Sequence, residues 1–437
     1  MVCLAPLFLY LFMKIEDVTR FKKKALYWAN QQSSIICYLD NNEHTHNPYS
    51  NYECLLAVGS VATLERDTAD SYWDSLSAFA AMYANEWLFG YFGYDLKNEL
   101  ENLTSTNADR LDFAPLSFFV PQHLIRIDLQ GQLQIDSKTS TPQAILQAIE
   151  QTSIPTPPLL PPITIQPTIS KVEYLDTLHK IKQHIIDGDL YEMNFCQEFS
   201  ATADLEPLPL FDHLNQFSKA PFAAYWQMNE QHILCASPER FVCKQDQKII
   251  SQPIKGTRPR GADASTDQAL KKDLATSIKD QAENVMIVDL VRNDLTKSCQ
   301  TGTIKVEELF GIYGFESVFQ MISTIVGTVQ SNLSWVEVIK NAFPMGSMTG
   351  APKVMSMQLI EQYEQSKRGV YSGAIGYITP EQDFDFNVVI RSILYQQATQ
   401  QLSFQVGGAI VYDSDPIEEY EECLLKAKGM FAVLQGL

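Results

Sequence analysis

A proline-rich segment near residue 160 is the feature that most limits how this chain can fold. Six prolines stand at positions 155, 157, 158, 161, 162 and 167. Proline fixes φ at about −65° and has no N–H donor, so the segment can form neither a regular helix nor a central strand. We therefore expect a boundary at residues 155–169, between an N-terminal half at 1–154 and a C-terminal half at 170–437.

Size and charge narrow the range of partners. The chain has 437 residues, of which 45% are hydrophobic, enough to bury a large core as one big or two ordinary domains. Its 33 Lys and Arg residues against 52 Asp and Glu give a net charge of −19. That charge would repel a phosphate backbone, so we expect no nucleic-acid partner. A small dianion remains compatible if a metal ion, a few cationic side chains and backbone N–H groups bind it.

Cysteine usage and hydropathy predict a cytoplasmic protein. None of the eight cysteines shows C-x-x-C spacing, which argues against zinc ribbons and disulfide frameworks. Residues 1–13 are apolar but lack the basic region and cleavage site of a secretory signal. We expect residues 1–12 to come from a mis-assigned start and Met13 to be the true first residue. No later stretch is apolar and long enough to span a bilayer, so we expect no membrane association.

Apolar spacing predicts several elements of secondary structure. After the prolines, Tyr174, Leu178, Ile181 and Ile185 repeat at helical steps, and Gly188 is a plausible terminator. Strands are predicted at 111–120, 124–129, 384–394 and 402–411. A helical run is predicted at 274–294. The last two strands are separated by a Gln-rich turn, which is typical of a hairpin.

The chain is predicted to finish on a helix. Asp415 can cap its N-terminus with Pro416 at the first helical position. The apolar stripe of this helix is predicted from residues at helical spacing, namely Ile417, Tyr420, Leu424, Ala427 and Phe431.

Several reaction classes are excluded by missing residues and motifs. All seven histidines lie at or before His232, whereas the densest motifs come later, so a His-based triad cannot form from those motifs. The chain contains no G-x-S-x-G nucleophile elbow, Walker A loop or dinucleotide fingerprint. Acidic residues, a lysine and glycine-containing turns remain as candidates for chemistry.

Two pairs of carboxylates have metal-binding potential. Asp280 and Glu283 lie three residues apart on one predicted helix, and Glu419 and Glu422 repeat that spacing on the last helix. Placed face to face, the two pairs would offer the oxygen ligands that Mg²⁺ prefers. Spacing alone, however, favours a solvated face, because Glu419, Glu422 and Lys426 point away from the predicted apolar stripe.

Lys255 and a glycine pair are further candidates. Lys255 stands between strand-like residues and a glycine-containing turn, where a solvated lysine is also expected. If burial removed its water, its pKa would fall and the neutral amine could act as nucleophile or base. Gly407 and Gly408 permit close approach of the backbone to a ligand, although a β-bulge is the commoner explanation.

Nine segments in a fixed order carry a family resemblance. They are GDLY at 188–191, SPERF at 237–241, PIKGTR at 253–258, AEN at 282–284, MIVDL at 286–290, RND at 292–294, GAPK at 350–353, IRS at 390–392 and residues 419–426, with a weaker match, GYD, at 93–95. Over residues 170–435 the chain thereby resembles the chorismate-utilising enzymes, the family of anthranilate, aminodeoxychorismate, isochorismate and salicylate synthases. The resemblance implies an α+β fold with two large, mainly antiparallel sheets packed as a central sandwich, helices outside and chorismate in a cleft.

The resemblance also implies a Mg²⁺ site. Glu283 and Glu422 match the metal ligands of the family, and Asp280 and Glu419 match the acids that support them directly or through water. Asp280 is shorter by one methylene than the glutamate usual at its position.

Five further residues match the family's contacts to chorismate carboxylates. Tyr371 and Arg391 match the positions that hold one carboxylate, and a bidentate arginine contact suits that geometry. Lys426 and the backbone at Gly407 and Gly408 match further carboxylate contacts.

Within the family, Lys255 implies the aminodeoxychorismate synthase branch. Anthranilate synthases generally carry alanine there, whereas aminodeoxychorismate synthases carry a lysine whose amine attacks C2 of chorismate as the 4-hydroxyl leaves. Ammonia then enters at C4, giving 4-amino-4-deoxychorismate on the route to p-aminobenzoate and folate. Glu192 stands where isochorismate and salicylate synthases place a general-base lysine, so water addition at C2 is not expected.

The same resemblance assigns Thr257 and Gln320 to the catalytic set. Gln320 replaces the family's catalytic histidine, and an amide cannot deliver a proton as imidazolium does. Loss of the hydroxyl would then need another acid or a bound water. Residues 55–58 only half resemble the tryptophan-binding segment of relatives, so we do not predict tryptophan feedback.

Alternative functions remain open at this point. An anthranilate synthase shares the fold, metal and substrate, and Lys255 argues against it. A non-catalytic chorismate-binding paralogue is motivated by Gln320, and an unrelated acidic scaffold would make the ordered motifs coincidental. No segment has the motifs of a glutaminase, so we expect ammonia to come from solution or a separate glutamine amidotransferase subunit.

Overall fold

A computed structural model describes residues 11–45, 47–64, 71–156, 163–316 and 318–436. Most of the predicted mis-assigned start and residues 157–162 of the proline-rich segment lie outside the described residues. The described helices are α1 (Val18–Gln32), α2 (Tyr72–Met82), α3 (Lys97–Leu100), α4 (Pro142–Gln151), α5 (Lys171–Asp187), α6 (Pro207–Ser218), α7 (Ala264–Thr276), α8 (Ile278–Thr296), α9 (Trp335–Ala342), α10 (Lys353–Tyr363) and α11 (Pro416–Gln435).

The described strands are mostly short and hydrophobic. They are β1 (Leu11–Lys14), β2 (Ile35–Asp40), β3 (Tyr52–Leu64), β4 (Leu88–Phe92), β5 (Leu116–Asp128), β6 (Gln132–Ser137), β7 (Gln166–Pro167), β8 (Glu192–Thr202), β9 (Phe222–Met228), β10 (Gln231–Ser237), β11 (Arg240–Gln245), β12 (Lys248–Gln252), β13 (Ile254–Pro259), β14 (Lys305–Gly314), β15 (Val318–Thr328), β16 (Gly350–Ala351), β17 (Ala374–Ile378), β18 (Phe384–Val388), β19 (Ser392–Gln396) and β20 (Gln401–Ile410).

Antiparallel pairing joins these strands into one long ladder. Its order is β8–β20–β19–β10–β9–β2–β3–β5–β4–β17–β18–β11–β12–β15. At one end β7 and β16 flank β8, at the other β13 and β14 flank β15, and β6 and β1 extend from β5. The N-terminal strands β2, β3, β5 and β4 form one block in the middle of this order, with strands of the C-terminal half on either side. Both halves of the chain therefore build the same sheet.

The ladder folds back so that its two limbs pack face to face. The core between them contains Trp226 of β9, Tyr91 of β4 and Phe119 of β5, with ring centroids 5.5 and 5.3 Å from the indole. Aromatic contacts of this kind add to the burial of apolar area. The α+β sandwich expected from the family resemblance is confirmed, with the two sheets joined through β5.

Helices cover both outer faces of this sandwich. Helices α1, α4, α5, α6 and α11 pack on the limb that contains β8 and β20. Helices α2, α8 and α9 pack on the limb that contains β4, β17 and β15. The arrangement places α8 and α11 beside opposite ends of the strand ladder.

The predicted helix ends at Gly188 and Asp415 are confirmed, and the start of α5 has a cap that was not predicted from the sequence. Ser170 and Glu173 form a capping box at the start of α5, and Gly188 closes it with φ 85°. Asp415 caps α11, where its carboxylate accepts hydrogen bonds from the backbone N–H groups of Ile417 and Glu418. The predicted hairpin is formed by β19 and β20.

Four predicted runs have wrong boundaries. The run 384–394 is two strands, because the backbone turns at Arg391, whose φ is 51°. The run 274–294 is parts of two helices, because Ser277 ends α7 and caps α8. The runs predicted at 111–120 and 124–129 form the single strand β5, and the partner strand β3 shifts register opposite Pro121, where an N–H donor is missing.

The seven cysteines within the described residues are buried free thiols, and Cys3 lies outside them. No helix in the described part of the chain is long and apolar enough to cross a membrane.

Candidate active site

A buried ion pair joins the two ends of the strand ladder. Lys255 lies on β13 and Glu192 lies on β8, and Lys255 Nζ is 2.5 Å from Glu192 Oε1. Their side chains are 10% and 1% exposed. Folding of the sheet thus brings together two residues that lie far apart in sequence, and their contact marks the centre of the candidate site.

The expected effect of burial on Lys255 is opposed by its neighbours. Burial lowers the pKa of the amine, but the charges of Glu192, Glu283 and Glu239 raise it, and the net pKa is above its ordinary value. The expectation that burial would make this amine neutral is therefore wrong for the protein without substrate. Lys255 is an ammonium held by carboxylates, so it must lose a proton before acting as a nucleophile.

Glu239 is a buried acid that the sequence assigned only to a motif. It lies in the turn between β10 and β11 and is 6% exposed. Burial raises its pKa to about 7, although a hydrogen bond with Ser347 and the charges of Lys255 and Arg391 oppose that shift. Glu239 can therefore carry a proton near neutral pH. The sequence feature that could have identified Glu239 is an acidic residue between two apolar segments that form strands.

The two predicted carboxylate pairs face each other across α8 and α11. Lys279 Nζ lies 4.0 Å from Glu283 Oε1 and 3.9 Å from Glu419 Oε1, so one ammonium contacts an acid from each helix. The prediction that Glu419 points away from the buried face of α11 is wrong, because its side chain is 6% exposed. Ser414 Oγ donates to Glu419 Oε1 at 2.7 Å, which compensates part of that burial.

The other two acids are each held by a cation. Glu422 is half exposed and lies 2.9 Å from Lys426 Nζ, whose charge lowers the pKa of that carboxyl. Asp280 Oδ2 accepts a hydrogen bond from the Arg258 guanidinium at 2.9 Å. In this conformation no group of three acidic, His or Cys side chains converges on one metal position within the described residues.

The donor chemistry of these four acids nevertheless fits Mg²⁺. All the donors are carboxylate oxygens, which hard divalent cations prefer. Burial raises the pKa of Glu283 to about 7, and Lys255 opposes while Glu192 adds to the shift. Lys279 supplies positive charge between Glu283 and Glu419, the place where a cation relieves the repulsion of two buried acids.

Arg391 is a cationic side chain that forms no salt bridge in the described part of the chain. Its guanidinium forms no ion pair with any described residue, and burial lowers its pKa. Tyr371 is 4% exposed, and its hydroxyl lies 3.5 Å from Cys196 Sγ. A backbone hydrogen bond of 2.9 Å from Ser372 to Val389 ties together the segments that carry both residues. The charge of Glu239 acts on Arg391 without forming an ion pair with it. A guanidinium whose N–H donors are not taken by a salt bridge is suited to bind a carboxylate ligand.

The two glycines lie in regular pairing on β20, and the β-bulge interpretation is wrong. Gly407 pairs with Cys196 and Gly408 pairs with Phe195. A Cβ added at Gly408 would lie 3.2 Å from Glu419 Oε2 and 3.7 Å from Lys426 Nζ. Glycine at 408 therefore keeps open the space between the strand and the charged face of α11. Lys426 Nζ also donates to Gly407 O at 3.1 Å.

Thr257 and Gln320 are direct cross-strand partners on β13 and β15. Thr257 is exposed, whereas Gln320 is 2% exposed. The side-chain oxygen of Gln320 is buried and has no hydrogen-bond partner among the described residues. All twelve predicted site residues thus lie on β13, β15, β20, α8, α11 or the segments around β17 and β18.

The chain resembles known proteins in both sequence and structure. The family described as chorismate binding enzyme matches residues 28–432. An anthranilate synthase component I-like protein of Synechocystis sp. is 33% identical over 356 residues, covering 80% of this chain and 73% of that protein. Aminodeoxychorismate synthase component 1 of Klebsiella aerogenes is 33% identical over 351 residues, covering 79% of this chain and 77% of that protein.

Some relatives named aminodeoxychorismate synthase are longer, and this chain spans half or less of their length. Among solved structures, anthranilate synthase component I from Streptococcus pneumoniae superposes with a TM-score of 0.77 and 25% identity. That match covers 89% of this chain and 94% of the other.

Proposed function

The chain belongs to the chorismate-binding enzyme family, and we propose that it converts chorismate and ammonia to 4-amino-4-deoxychorismate. Relatives of comparable length that are named aminodeoxychorismate synthase component 1 support this reaction. The observation that carries the proposal is Lys255, a buried lysine facing carboxylates at the meeting point of the sheet ends. The product places the enzyme on the route to p-aminobenzoate and folate.

Chorismate is a dianion, and the cleft offers separate partners for its carboxylates. Arg391 and Tyr371 bind one carboxylate, because the guanidinium forms no ion pair within the described residues and the hydroxyl is a ready donor. Lys426 and the backbone at Gly407 and Gly408 contribute to binding the second. Fixing the ring carboxylate and the side-chain carboxylate sets the positions of C2 and C4 relative to Lys255.

Mg²⁺ is the proposed cofactor, held by Glu283 and Glu422 with Asp280 and Glu419 in support. When bound, the ion anchors a substrate carboxylate and favours displacement at the allylic centre through its charge. The protein's own contribution is to gather four acids from α8 and α11 and to balance them with Lys279 and Lys426.

Lys255 is the proposed nucleophile. Its amine bonds to C2 as the ring double bonds shift and the C4–O bond breaks. The departing hydroxyl needs a proton, and Glu239 supplies it, because its pKa of about 7 lets it be protonated near neutrality. Gln320 and Thr257 hydrogen-bond the reacting groups without transferring a proton. Ammonia then bonds to C4 and Lys255 leaves C2.

The nitrogen source is proposed to be ammonia from a separate glutamine amidotransferase subunit. Relatives named component 1 support a divided enzyme. Free ammonium salts should replace that subunit at mildly alkaline pH, where more of the nitrogen is the neutral nucleophile.

Product identification tests the reaction. Purified protein is incubated with chorismate, Mg²⁺ and an ammonium salt, and products are separated and identified by mass spectrometry. We expect 4-amino-4-deoxychorismate, and omission of Mg²⁺ should abolish its formation. Anthranilate with pyruvate would instead assign the chain to anthranilate synthases, and bound chorismate without turnover would favour a non-catalytic paralogue.

A further inference from the structure

Glu192 is a buried carboxylate with fewer hydrogen-bond partners than such groups usually have. Oε1 lies 2.5 Å from Lys255 Nζ, while Oε2 is buried and has no hydrogen-bond partner among the described residues. Buried carboxylates are normally satisfied by several donors, since an unmet acceptor costs free energy. Within the described part of the chain, the hydrogen-bonding capacity of the Glu192 side chain is directed to Lys255.

Glu364, a second buried acid, forms an ion pair with Arg368 in which both carboxylate oxygens have hydrogen-bond donors. Glu364 accepts hydrogen bonds from Arg368 at 2.9 and 2.6 Å and from the Cys196 N–H at 2.9 Å. Both of its oxygens are therefore occupied by donors that stay in place. Glu192 has one donor, and that donor is the proposed nucleophile.

The backbone holds Glu192 firmly opposite Lys255. Glu192 opens β8 and pairs with Ala351 of β16, and Ser356 Oγ donates to Glu192 O at 3.2 Å. On the other strand, Gly256 adopts φ 90° immediately after Lys255, which interrupts the regular register with β15. These two fixed backbones set the distance between the carboxylate and the amine.

We propose that Glu192 positions the Lys255 amine and accepts the proton that the amine releases before it bonds to chorismate. Direct proton transfer requires donor and acceptor within about 2.6–3.2 Å, and the Glu192 contact is at least this close. Glu283 and Glu239 influence Lys255 through their charge but form no ion pair with it in the described structure. This role for Glu192 rests on the proposed function.

The proton and electron balance of the step is complete. A proton moves from Nζ to Oε1, and the freed lone pair forms the Nζ–C2 bond while the C4–O bond breaks. The hydroxyl leaves as water with a proton from Glu239. When ammonia bonds to C4, the Nζ–C2 bond breaks, Lys255 departs as a neutral amine and recovers its proton from Glu192. The ammonium formed on the product returns a proton to Glu239.

Acidic groups from four elements interact with the charge of Lys255 and shape its pH dependence. Glu192 faces Lys255 from β8, Glu239 from the β10–β11 turn and Glu283 from α8. Lys255 in turn lowers the pKa of Glu422 on α11. Because all four neighbours are acids, Lys255 stays protonated until one of them takes its proton.

Glu192→Gln removes the proton acceptor and keeps the shape of the side chain. We expect kcat for ammonia-dependent turnover to fall about 100-fold, with KM for chorismate nearly unchanged. Cyanate, which carbamylates neutral amines, gives a readout independent of turnover. Carbamylation of Lys255 at neutral pH, followed by peptide mass spectrometry, should become faster in this variant, because no paired carboxylate favours the ammonium.

Two further variants keep the test interpretable. Glu192→Asp retains the charge and should restore part of the lost kcat and slow carbamylation again. Glu198→Gln is a matched control, because Glu198 is also a buried acid of β8 and pairs with Arg110 at 3.0 Å, away from Lys255. It should leave both readouts as in the parent. Thermal melts identify any variant that fails to fold.

Several outcomes would overturn the role of Glu192. Parent-like kcat in Glu192→Gln would exclude proton acceptance, and kcat rising with carbamylation would mean that Glu192 only keeps the lysine protonated. Equal carbamylation rates in parent and variant would show that the two residues are not coupled, even if the parent has no turnover. Anthranilate from the parent would instead sink the proposed function.

Discussion

Two clusters of buried charge in this protein differ in how fully they are satisfied. In the Lys22 cluster, formed by Lys22, Asp40, Glu53 and Tyr38, the ammonium contacts both acids and lies 2.7 Å from Asp40 Oδ1. The Tyr38 hydroxyl donates to Asp40 at 2.6 Å, and the Glu43 N–H donates to Glu53 at 3.1 Å. Every charge there has permanent partners.

The cleft around Lys255 is similarly buried but incompletely satisfied. Arg391 forms no ion pair with a described residue, although the charge of Glu239 acts on it. Glu192 Oε2 and Gln320 Oε1 have no hydrogen-bond partner among the described residues. The same residue types therefore serve two purposes. A completed network stabilises the fold, whereas an incomplete one leaves binding capacity for a ligand and its transition state.

Lys255→Ala removes the central residue of the cleft and should reduce activity more than any other variant. We expect aminodeoxychorismate formation to fall by at least roughly 1,000-fold, because the proposed nucleophile is removed rather than misplaced. Chorismate binding, measured by calorimetry, should persist, since Arg391 and Lys426 remain. Turnover within tenfold of the parent would rule out a nucleophilic lysine.

Lys22→Met should break the completed network and reduce stability without affecting chemistry. It leaves two buried carboxylates without a cation, and we expect the free energy of unfolding to fall by about 3–5 kcal/mol. Urea unfolding measures that loss. The exposed pair of Lys171 with Glu421 offers a control, and Lys171→Met should leave the urea midpoint unchanged. A parent-like midpoint in Lys22→Met would remove the contrast between the clusters.

Arg391→Gln should separate affinity from stability. If Arg391 donates to the substrate carboxylate as proposed, its loss should weaken chorismate binding about 10–100-fold. Stability should be maintained, because the guanidinium has no ion pair to lose. Arg240→Gln is the opposite case, since Arg240 pairs with Asp385 at 2.7 Å and its removal should lower the melting temperature. Equal destabilisation by both variants would contradict an unsatisfied Arg391.

Glu239→Gln should change how stability depends on pH. The folded-state pKa of Glu239, about 7, lies above its ordinary value of 4.5, so the folded protein favours the protonated form. This contribution to the free energy of unfolding is full below the ordinary value and is lost as pH rises through about 7.

The glutamine variant should therefore gain stability relative to the parent as pH rises from 4.5 to about 7, by at most about 1.4 kcal/mol per pH unit. Unfolding titrations at several pH values measure that slope. A pH-independent difference would mean that Glu239 titrates at its ordinary value.

The sequence was sufficient where local patterns decide structure. The helix end at Gly188 and the cap at Asp415 follow from short-range hydrogen bonding and backbone preference, and the structure has both. It failed where a long-range contact reverses a local preference. Glu419 lies on a helix face that spacing makes polar, yet α11 turns this face toward Gly408 and Ser414, and the acid is buried.

For the candidate site too, the sequence predicted local features and missed long-range contacts. Motif order placed Lys255, Glu283 and Arg391 in one family pattern, but the protonation of Lys255 depends on acids contributed by β8, the β10–β11 turn and α8. Glu192 and Glu239 lie far from Glu283 in sequence, and periodicity carries no information about which side chains a folded sheet brings into contact. The ion pair between the two sheet ends therefore required the fold.

The direct test of the Lys255 chemistry is a search for its covalent adduct. The protein is mixed with chorismate and Mg²⁺ without ammonia, quenched and digested, and the peptide that contains Lys255 is measured by mass spectrometry. We predict a mass increase equal to chorismate less water, located on Lys255 and removed when ammonium is added before quenching. Aminodeoxychorismate formation without any modified Lys255 in rapidly quenched samples would contradict the role of this lysine.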